Sequence, residues 1–221
     1  MTEFSIREIR FEDLDNVTRI HIASFSDRAL SQLGKGAVKR YYQFLFTDFL
    51  QSYPICAEAN GNTLVGFCFA GIYSGSFSGF LRKHKWYLAG HILSHPWLIF
   101  SPIVREQTLL SLKTLKRIFM RRFHKRPRQA VVINQPLPES PPRYVPWGIL
   151  SIAVDPAYQR RGVAEAMMRF VESMLGEKGI TSLHLSVHTD NSPAVRFYEK
   201  MGWEKVPPGE EWDGKMMKRL N

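Results

Sequence analysis

Cysteine is scarce in this chain, with Cys56 and Cys68 the only two in 221 residues. That count excludes a disulfide-dense secreted scaffold. If the chain turns at Asn60-Gly61-Asn62, Cys56 is expected to face about residue 65. Cys68 then lies too far along for a bridge, and buried thiols in a reducing cytoplasm are expected. Met1-Thr-Glu-Phe-Ser5 lacks the basic start and apolar run of a secretory signal. Membrane-length apolar runs are also missing. Trp86 to Val104 contains no Asp, Glu, Lys or Arg, but His91, His95, Pro96 and Pro102 interrupt it. A span needs about 20 mostly apolar residues, so this stretch is not read as one. No internal repeat is visible, which excludes a solenoid.

Acidic residues are nearly absent from one segment. Residues 75–145 hold 13 Lys and Arg, from Arg82 to Arg143, against only Glu106 and Glu139. The whole chain has 30 Lys and Arg against 20 Asp and Glu, a net charge of +10, so this segment accounts for the entire excess. Such a balance suits an acidic ligand, a nucleic acid or an anionic membrane surface. Within the segment, Leu109, Leu112, Leu115, Phe119 and Phe123 recur at helical spacing with Arg and Lys on the other face, which predicts an amphipathic basic helix. Three readings stay open: a lid bringing cations to an acidic acceptor, a surface lying on anionic lipid, and a dimer contact. Nucleic acid is disfavoured because no RNA- or DNA-binding motif is present. Gln135-Pro-Leu-Pro-Glu-Ser-Pro-Pro142 reads as an extended return linker.

What is present reads as alternating strands and helices. Phe4 to Arg10 alternates like a strand. Glu12-Asp13 starts a helix with Leu14, Val17, Ile20, His21 and Ala23 on one face, and Ser31 is expected to cap a second. Tyr41 and Tyr42 on that second helix are read as core. Tyr53–Ala59 and Thr63–Ala70 form a hairpin, with Gly66 marking a bulge or close packing. Glu58 is expected to be an exposed strand residue. Gly71, Gly75 and Gly79, with Ser74, Ser76 and Ser78, predict a loop.

The organising stretch runs from Leu150 to Trp203. The apolar run Leu150–Val154 ends at Asp155-Pro156, and Gln159-Arg-Arg-Gly162-Val-Ala164 then opens a helix reaching about Leu175. The first N–H groups of a helix have no internal partner, and its dipole adds positive charge there. Gly162 and Ala164 keep the approach open, and Arg160 and Arg161 add formal charge, which suits a diphosphate. A second strand at Leu183–Val187 follows, then Asn191-Ser-Pro-Ala-Val-Arg-Phe-Tyr198 and Met201-Gly-Trp203.

These two motifs, in this order, resemble the GNAT superfamily of acetyl-coenzyme A-dependent N-acetyltransferases. The resemblance is strong over residues 146–207 and looser over 4–72. It implies an α/β (α+β) fold with a mixed sheet of six to seven strands, flanked by helices and splayed between the fourth and fifth strands. It also implies one domain over 1–221, with a basic, largely helical insertion at about 74–144. Acetyl-coenzyme A is the implied co-substrate, and no metal is expected. Ile152, Ala153 and Val154 would pair with the pantetheine arm. Gln159, Arg160, Arg161, Gly162, Val163, Ala164 and Glu165 would surround the pyrophosphate, Glu165 through its backbone alone. Asn191 matches a coenzyme-contacting position and reads equally as a helix start. Tyr198 matches the general acid for the departing thiolate. Transfer would be direct, without an acetylated cysteine. Many relatives carry a Glu early on the fourth strand, where this chain has Trp147-Gly148-Ile149, so no base is assigned among His91, His95, His184 and His188. The expected enzyme is cytoplasmic and acetylates a small-molecule amine, such as an amino sugar or nucleotide-linked amino sugar. A protein or peptide amine is the alternative acceptor. A different class, a coenzyme A-binding module with little turnover, also stays open.

Overall fold

The computed structural model describes residues 4–48, 52–72, 75–94, 146–209 and 212–220. Strand β1 (Phe4–Glu8) leads through a single 3-10 turn into α1 (Leu14–Ser24), the short α2 (Ala29–Gln32) and α3 (Gly34–Thr47). The hairpin strands β2 (Ser52–Ala59) and β3 (Thr63–Ile72) follow, then α4 (Ser76–Lys83) and α5 (Lys85–Ser94). After the return come β4 (Trp147–Val154), α6 (Val163–Glu177), β5 (Ser182–Ser186), α7 (Ser192–Lys200), β6 (Glu204–Lys205) and β7 (Lys215–Arg219). The chain divides into two compact units, Met1–Leu88 with Val145–Asn221, and Ala89–Tyr144. Of the second, only residues 89–94 are described, and the predicted basic helix at 109–123 and the Pro-rich run lie outside the described residues. No described helix is long and apolar enough to cross a membrane.

The sheet has seven strands in the order β1-β2-β3-β4-β5-β7-β6, and it is mixed as expected. All neighbouring pairs are antiparallel except β4 with β5. Two apolar layers sandwich it. On one face α6 and α7 pack Val163, Met167, Val171, Leu175 and Tyr198 against Ile55, Val65 and Cys68. On the other, α1 and α3 pack Val17, Ile20, Val38 and Tyr42 against Phe67 and Phe69. From Phe67 to Ala70 the alternation along β3 sends successive side chains to opposite layers, as strand geometry requires.

Several local expectations are corrected. Cys56 faces Phe67, not residue 65, because the register shifts between Ala57 and Glu58 and leaves Val65 as the extra residue of a bulge. Cys56 and Cys68 therefore sit in opposite layers, and both are free and buried. Ser31 lies inside α2 instead of capping a helix; Leu33 precedes α3. On α1 the polar Thr18 is buried along with His21, its hydroxyl donating to the Leu14 carbonyl at 2.7 Å, whereas Ala23 is exposed. The Gly-Ser stretch is helical from Ser76, since Gly75 takes a left-handed φ of 92° and starts α4, while Gly71 belongs to β3. Glu58 is not exposed; its carboxylate accepts from Arg7 Nε at 2.5 Å, and the same guanidinium binds Asp13 at 2.7 Å.

Gly66 is a packing position. A Cβ there would lie 2.9 Å from Met167 Cε, 3.2 Å from the Ala153 carbonyl and 3.2 Å from Val163 Cγ1. The absent side chain lets α6 settle on β3, which sets where the helix begins. Gly66→Val is expected to destabilise the protein by about 1–3 kcal/mol, measured as a lower urea midpoint at unchanged m-value.

Candidate active site

The site starts with a defect in the sheet. β4 and β5 run parallel but pair only at Trp147 with Leu183 and Gly148 with His184. β4 continues to Val154, paired with β3 on its other side, and β5 continues to Ser186, paired with β7. The two strands therefore diverge toward their carboxyl ends, leaving the β5-facing edge of Ile149–Val154 without strand partners among the described residues. A bulge at Leu150, where the β3 register shifts between Phe69 and Ala70, bends β4 at the start of this gap.

The turn after β4 is heavily braced. The Asp155 N–H donates to the Val65 carbonyl at 2.8 Å, its Oδ1 accepts from the Ala157 N–H at 3.0 Å, and its Oδ2 accepts from Arg19 at 2.6 Å. Burial works against the Asp155 charge, but the Arg19 contact prevails and holds its carboxyl below the usual range. Gln159 Nε2 donates back to the Val154 carbonyl at 3.2 Å, so this side chain closes the turn instead of pointing outward. Arg160 and Gly162 both take positive φ, 60° and 83°, and α6 starts at Val163. The first helical bond runs from the Ala166 N–H to the Gly162 carbonyl at 3.0 Å. The N–H groups of Val163, Ala164 and Glu165 precede it, and such groups look out along the helix axis. Space around Gly162 is open, so its φ, not crowding, demands glycine.

The remaining expected residues divide between backbone and side-chain roles. Ile152 and Val154 face the α6–α7 layer and Ala153 the α1–α3 layer, which leaves their backbone as the surface presented to the gap. Arg160 is exposed, and the Arg161 guanidinium lies 5.2 Å from the Tyr158 ring centroid. The Val163 side chain is buried and anchors the turn, with Ala164 partly buried beside it. The Glu165 carboxylate binds Arg169 at 2.8 Å, one turn along the helix. Asn191 caps α7, its Oδ1 accepting from the Ala194 N–H at 3.3 Å. Asn191→Ala should lower stability by about 1 kcal/mol through loss of that cap, checked by denaturant unfolding.

Tyr198 sits on the inner face of α7 in the same apolar layer as Cys68. Burial, helped by the neighbouring Cys68, pushes its phenol well above the ordinary value, so it holds its proton throughout the physiological range. Burial likewise pushes Cys68 up and raises Cys56 to about 11, which keeps both as unreactive thiols. Of the histidines considered for a base, His188 is exposed on the loop after β5, His184 lies on β5 opposite Gly148, His91 is on α5, and His95 lies outside the described residues.

Sequence reasoning missed a different set. His21 on α1 approaches the Tyr42 hydroxyl at 2.7 Å, and that hydroxyl approaches Ser151 Oγ on β4 at 2.8 Å. By sequence alone, His21 falls on the apolar face of its helix and Tyr42 among the core positions of the next. The available signal was a histidine and a tyrosine hydroxyl on faces otherwise fully apolar, both needing partners. Burial lowers the His21 imidazole to about 4. Its folded value is below the unfolded one, so the unfolded state binds more protons between about pH 4 and 6.5, and stability falls as pH drops through that window. The loss is expected to reach roughly 3 kcal/mol by pH 4, and His21→Phe should flatten this part of the stability profile.

Comparisons with known proteins agree with this geometry. Residues 132–203 match the Acetyltransferase (GNAT) family. The [ribosomal protein bS18]-alanine N-acetyltransferase of Escherichia coli (strain K12) is 35% identical over 58 residues, covering 26% of this chain and 39% of that protein. The chain thus aligns with about two fifths of the length of that relative. Among solved structures, the PaiA N-acetyltransferase of Thermoplasma acidophilum in complex with coenzyme A superposes with a TM-score of 0.54 at 14% identity, over 98% of this chain and 99% of that one. The ribosomal-protein-S18-alanine N-acetyltransferase structure from Escherichia coli gives 0.53 at 14% identity, over 99% and 95%. At such identities the superpositions establish the fold, and the profile match covers the β4-turn-α6 and β5-α7 motifs on which the site is built. The match to the Acetyltransferase (GNAT) family covers residues 132–203, and the motif order and the fold around them agree with it.

Proposed function

We propose that this protein transfers the acetyl group of acetyl-coenzyme A to the amine of a protein or peptide. The carrying observation is the parallel β4–β5 pair that ends after Gly148 and opens beside the α6 N-terminus. An exposed strand edge takes an extended, amide-bearing chain by main-chain hydrogen bonding, and a pantetheine arm is such a chain. Ile152, Ala153 and Val154 supply that edge. The N–H groups of Val163, Ala164 and Glu165, with Arg160 and Arg161, suit the pyrophosphate. Gln159 and Gly162 shape the turn, and Asn191 fixes the start of α7 at the other side of the gap. A backbone N–H of β4 stabilises the developing oxyanion, Tyr198 gives its proton to the departing thiolate, and the proton that the nitrogen loses on becoming an amide passes through water to restore the phenol. The unreactive state of Cys56 and Cys68 favours direct attack by the amine over an acetylated cysteine.

An amino sugar as acceptor has less support than a peptide, because the bacterial relatives above are named for acetylating the alanine of ribosomal protein bS18. We read 1–221 as one acetyltransferase domain with an insertion at about 74–144, acting in the cytoplasm. The test is release of free coenzyme A thiol with an alanine-initiated hexapeptide, glucosamine, a nucleotide-linked amino sugar and spermidine. Preferred turnover of the peptide supports the proposal, and preferred turnover of a sugar restores the alternative. The insertion's membrane reading is tested separately by pelleting with phosphatidylserine vesicles. Binding that weakens from 50 to 500 mM salt is the expected result for a basic surface on anionic lipid; no pelleting ends that reading.

A further inference from the structure

The hydrogen-bonded series His21–Tyr42–Ser151 runs through the aromatic layer beneath α1 and α3. Its apolar walls are Phe25, Phe67 and Phe69, whose rings lie 5.0 to 5.2 Å from His21 or Tyr42. Tyr42 has no solvent exposure and His21 is 6% exposed, while Ser151 is half-buried. The series thus starts in the core and ends at the one member that reaches the surface. Ser151 follows the bulge at Leu150 and lies beyond Gly148, the last β4 residue paired with β5. Its backbone belongs to the edge proposed to receive the thioester arm. Packing does not account for the series, because His21 Nε2 is buried with no hydrogen-bond partner among the described residues. An apolar ring would fill that space without an orphaned nitrogen.

We infer that Ser151 Oγ accepts a hydrogen bond from the attacking amine, and that His21 and Tyr42 are positioning residues that hold the serine oxygen in that role. The inference rests on the acetyl-transfer reading above. Its direction follows from acid strength. The phenol is the more acidic of the two hydroxyls and a neutral imidazole nitrogen the better acceptor, so the strongest pairing has Tyr42 O–H donating to His21 Nδ1. The Ser151 hydroxyl then donates to the Tyr42 oxygen, and the Ser151 lone pairs are left to accept from an incoming N–H. That hydrogen bond turns the amine lone pair toward the thioester carbonyl; no proton need leave the amine for the serine. The groups facing His21 are Tyr42 from α3 and the ring of Phe25, the residue that follows its own helix. Those near Tyr42 are Tyr41 beside it, Ser151 from β4 and, across the sheet, Cys68 from β3, none of them charged. The series therefore keeps one hydrogen-bond direction across neutral pH.

The test combines kinetics with a tautomer measurement. Ser151→Ala should lower kcat/KM for the alanine-initiated peptide by about 10- to 100-fold, as misplaced reactants do, with acetyl-coenzyme A affinity within about twofold. Ser151→Thr keeps the hydroxyl and should recover most of the loss. Tyr42→Phe should add little in the Ser151→Ala background, because both act through one oxygen. Long-range ¹⁵N correlation spectra of labelled wild-type protein, assigned through loss of the His21 signal in His21→Gln, should show the neutral Nε2–H tautomer at pH 7. An Nδ1–H tautomer, or wild-type kinetics in Ser151→Ala, overturns the inference and leaves acetyl transfer standing. Wild-type protein that fails to bind acetyl-coenzyme A overturns both. The tautomer decides even where none of the offered amines turns over.

Discussion

Tyr198→Phe is expected to lower kcat by about 100-fold or more while leaving acetyl-coenzyme A affinity within about twofold, since a positioned general acid typically contributes 10²–10⁴-fold. The substitution keeps the ring in the α7 layer, where Tyr198 packs near Phe197 and Trp203 with centroids 5.3 and 6.1 Å away, so the fold should tolerate it. The distinguishing point is the phenol's raised affinity for its proton. A group that stays neutral at pH 7 cannot act as a base there, but it can supply a hydrogen to a thiolate as the carbon–sulfur bond breaks. Stopped-flow single turnover with the best acceptor separates this from slow product release. An unchanged chemical step in the variant would show that Tyr198 serves only to hold α7 against the sheet.

The second large effect is expected at the turn. Replacing Arg160 and Arg161 together by Ala should weaken acetyl-coenzyme A binding about 100-fold, roughly 2.8 kcal/mol, in line with two charge-assisted contacts. The wild-type affinity should fall with added salt and the variant's should fall less steeply. Arg169→Ala is the matched control. It removes a cation from the helix that follows the turn, but one already held by Glu165 on an exposed face, and should leave binding unchanged. Isothermal titration at 50 and 300 mM salt reads all three proteins. Equal affinities across them would remove the diphosphate from this turn.

Much of the site was readable in the primary structure because it is local. The β4-turn-α6 segment is continuous, and its Asp-Pro, Gln, Arg-Arg and Gly positions each act within a few residues of one another. Asp155 caps its own turn, Gln159 bonds back five residues to Val154, and Gly162 supplies a left-handed φ. The same holds for Asn191 capping α7. Element boundaries slipped where a tertiary contact outweighed composition. Ser76 and Gly79 read as loop residues but are helical, since Phe80 is fully buried against the aromatic layer and carries its helix with it. The Cys56 register moved because a bulge, invisible to alternation counting, places both Val65 and Gly66 toward α6.

Distance along the chain marks the limit. Residues 150–203 on their own set the strand-turn-helix order, the glycine conformation and the cation pair, because backbone sterics and short-range hydrogen bonding do not depend on the rest of the molecule. Only the folded protein decided that β4 and β5 part after Gly148, since that depends on β3 and β7 pulling their outer edges in different directions. It alone brought His21 to Tyr42 and Tyr42 to Ser151, which lies 109 positions away in the chain. Such pairings are created by packing two layers against a sheet, and a linear pattern of apolar positions records the layers without recording which polar atoms meet between them.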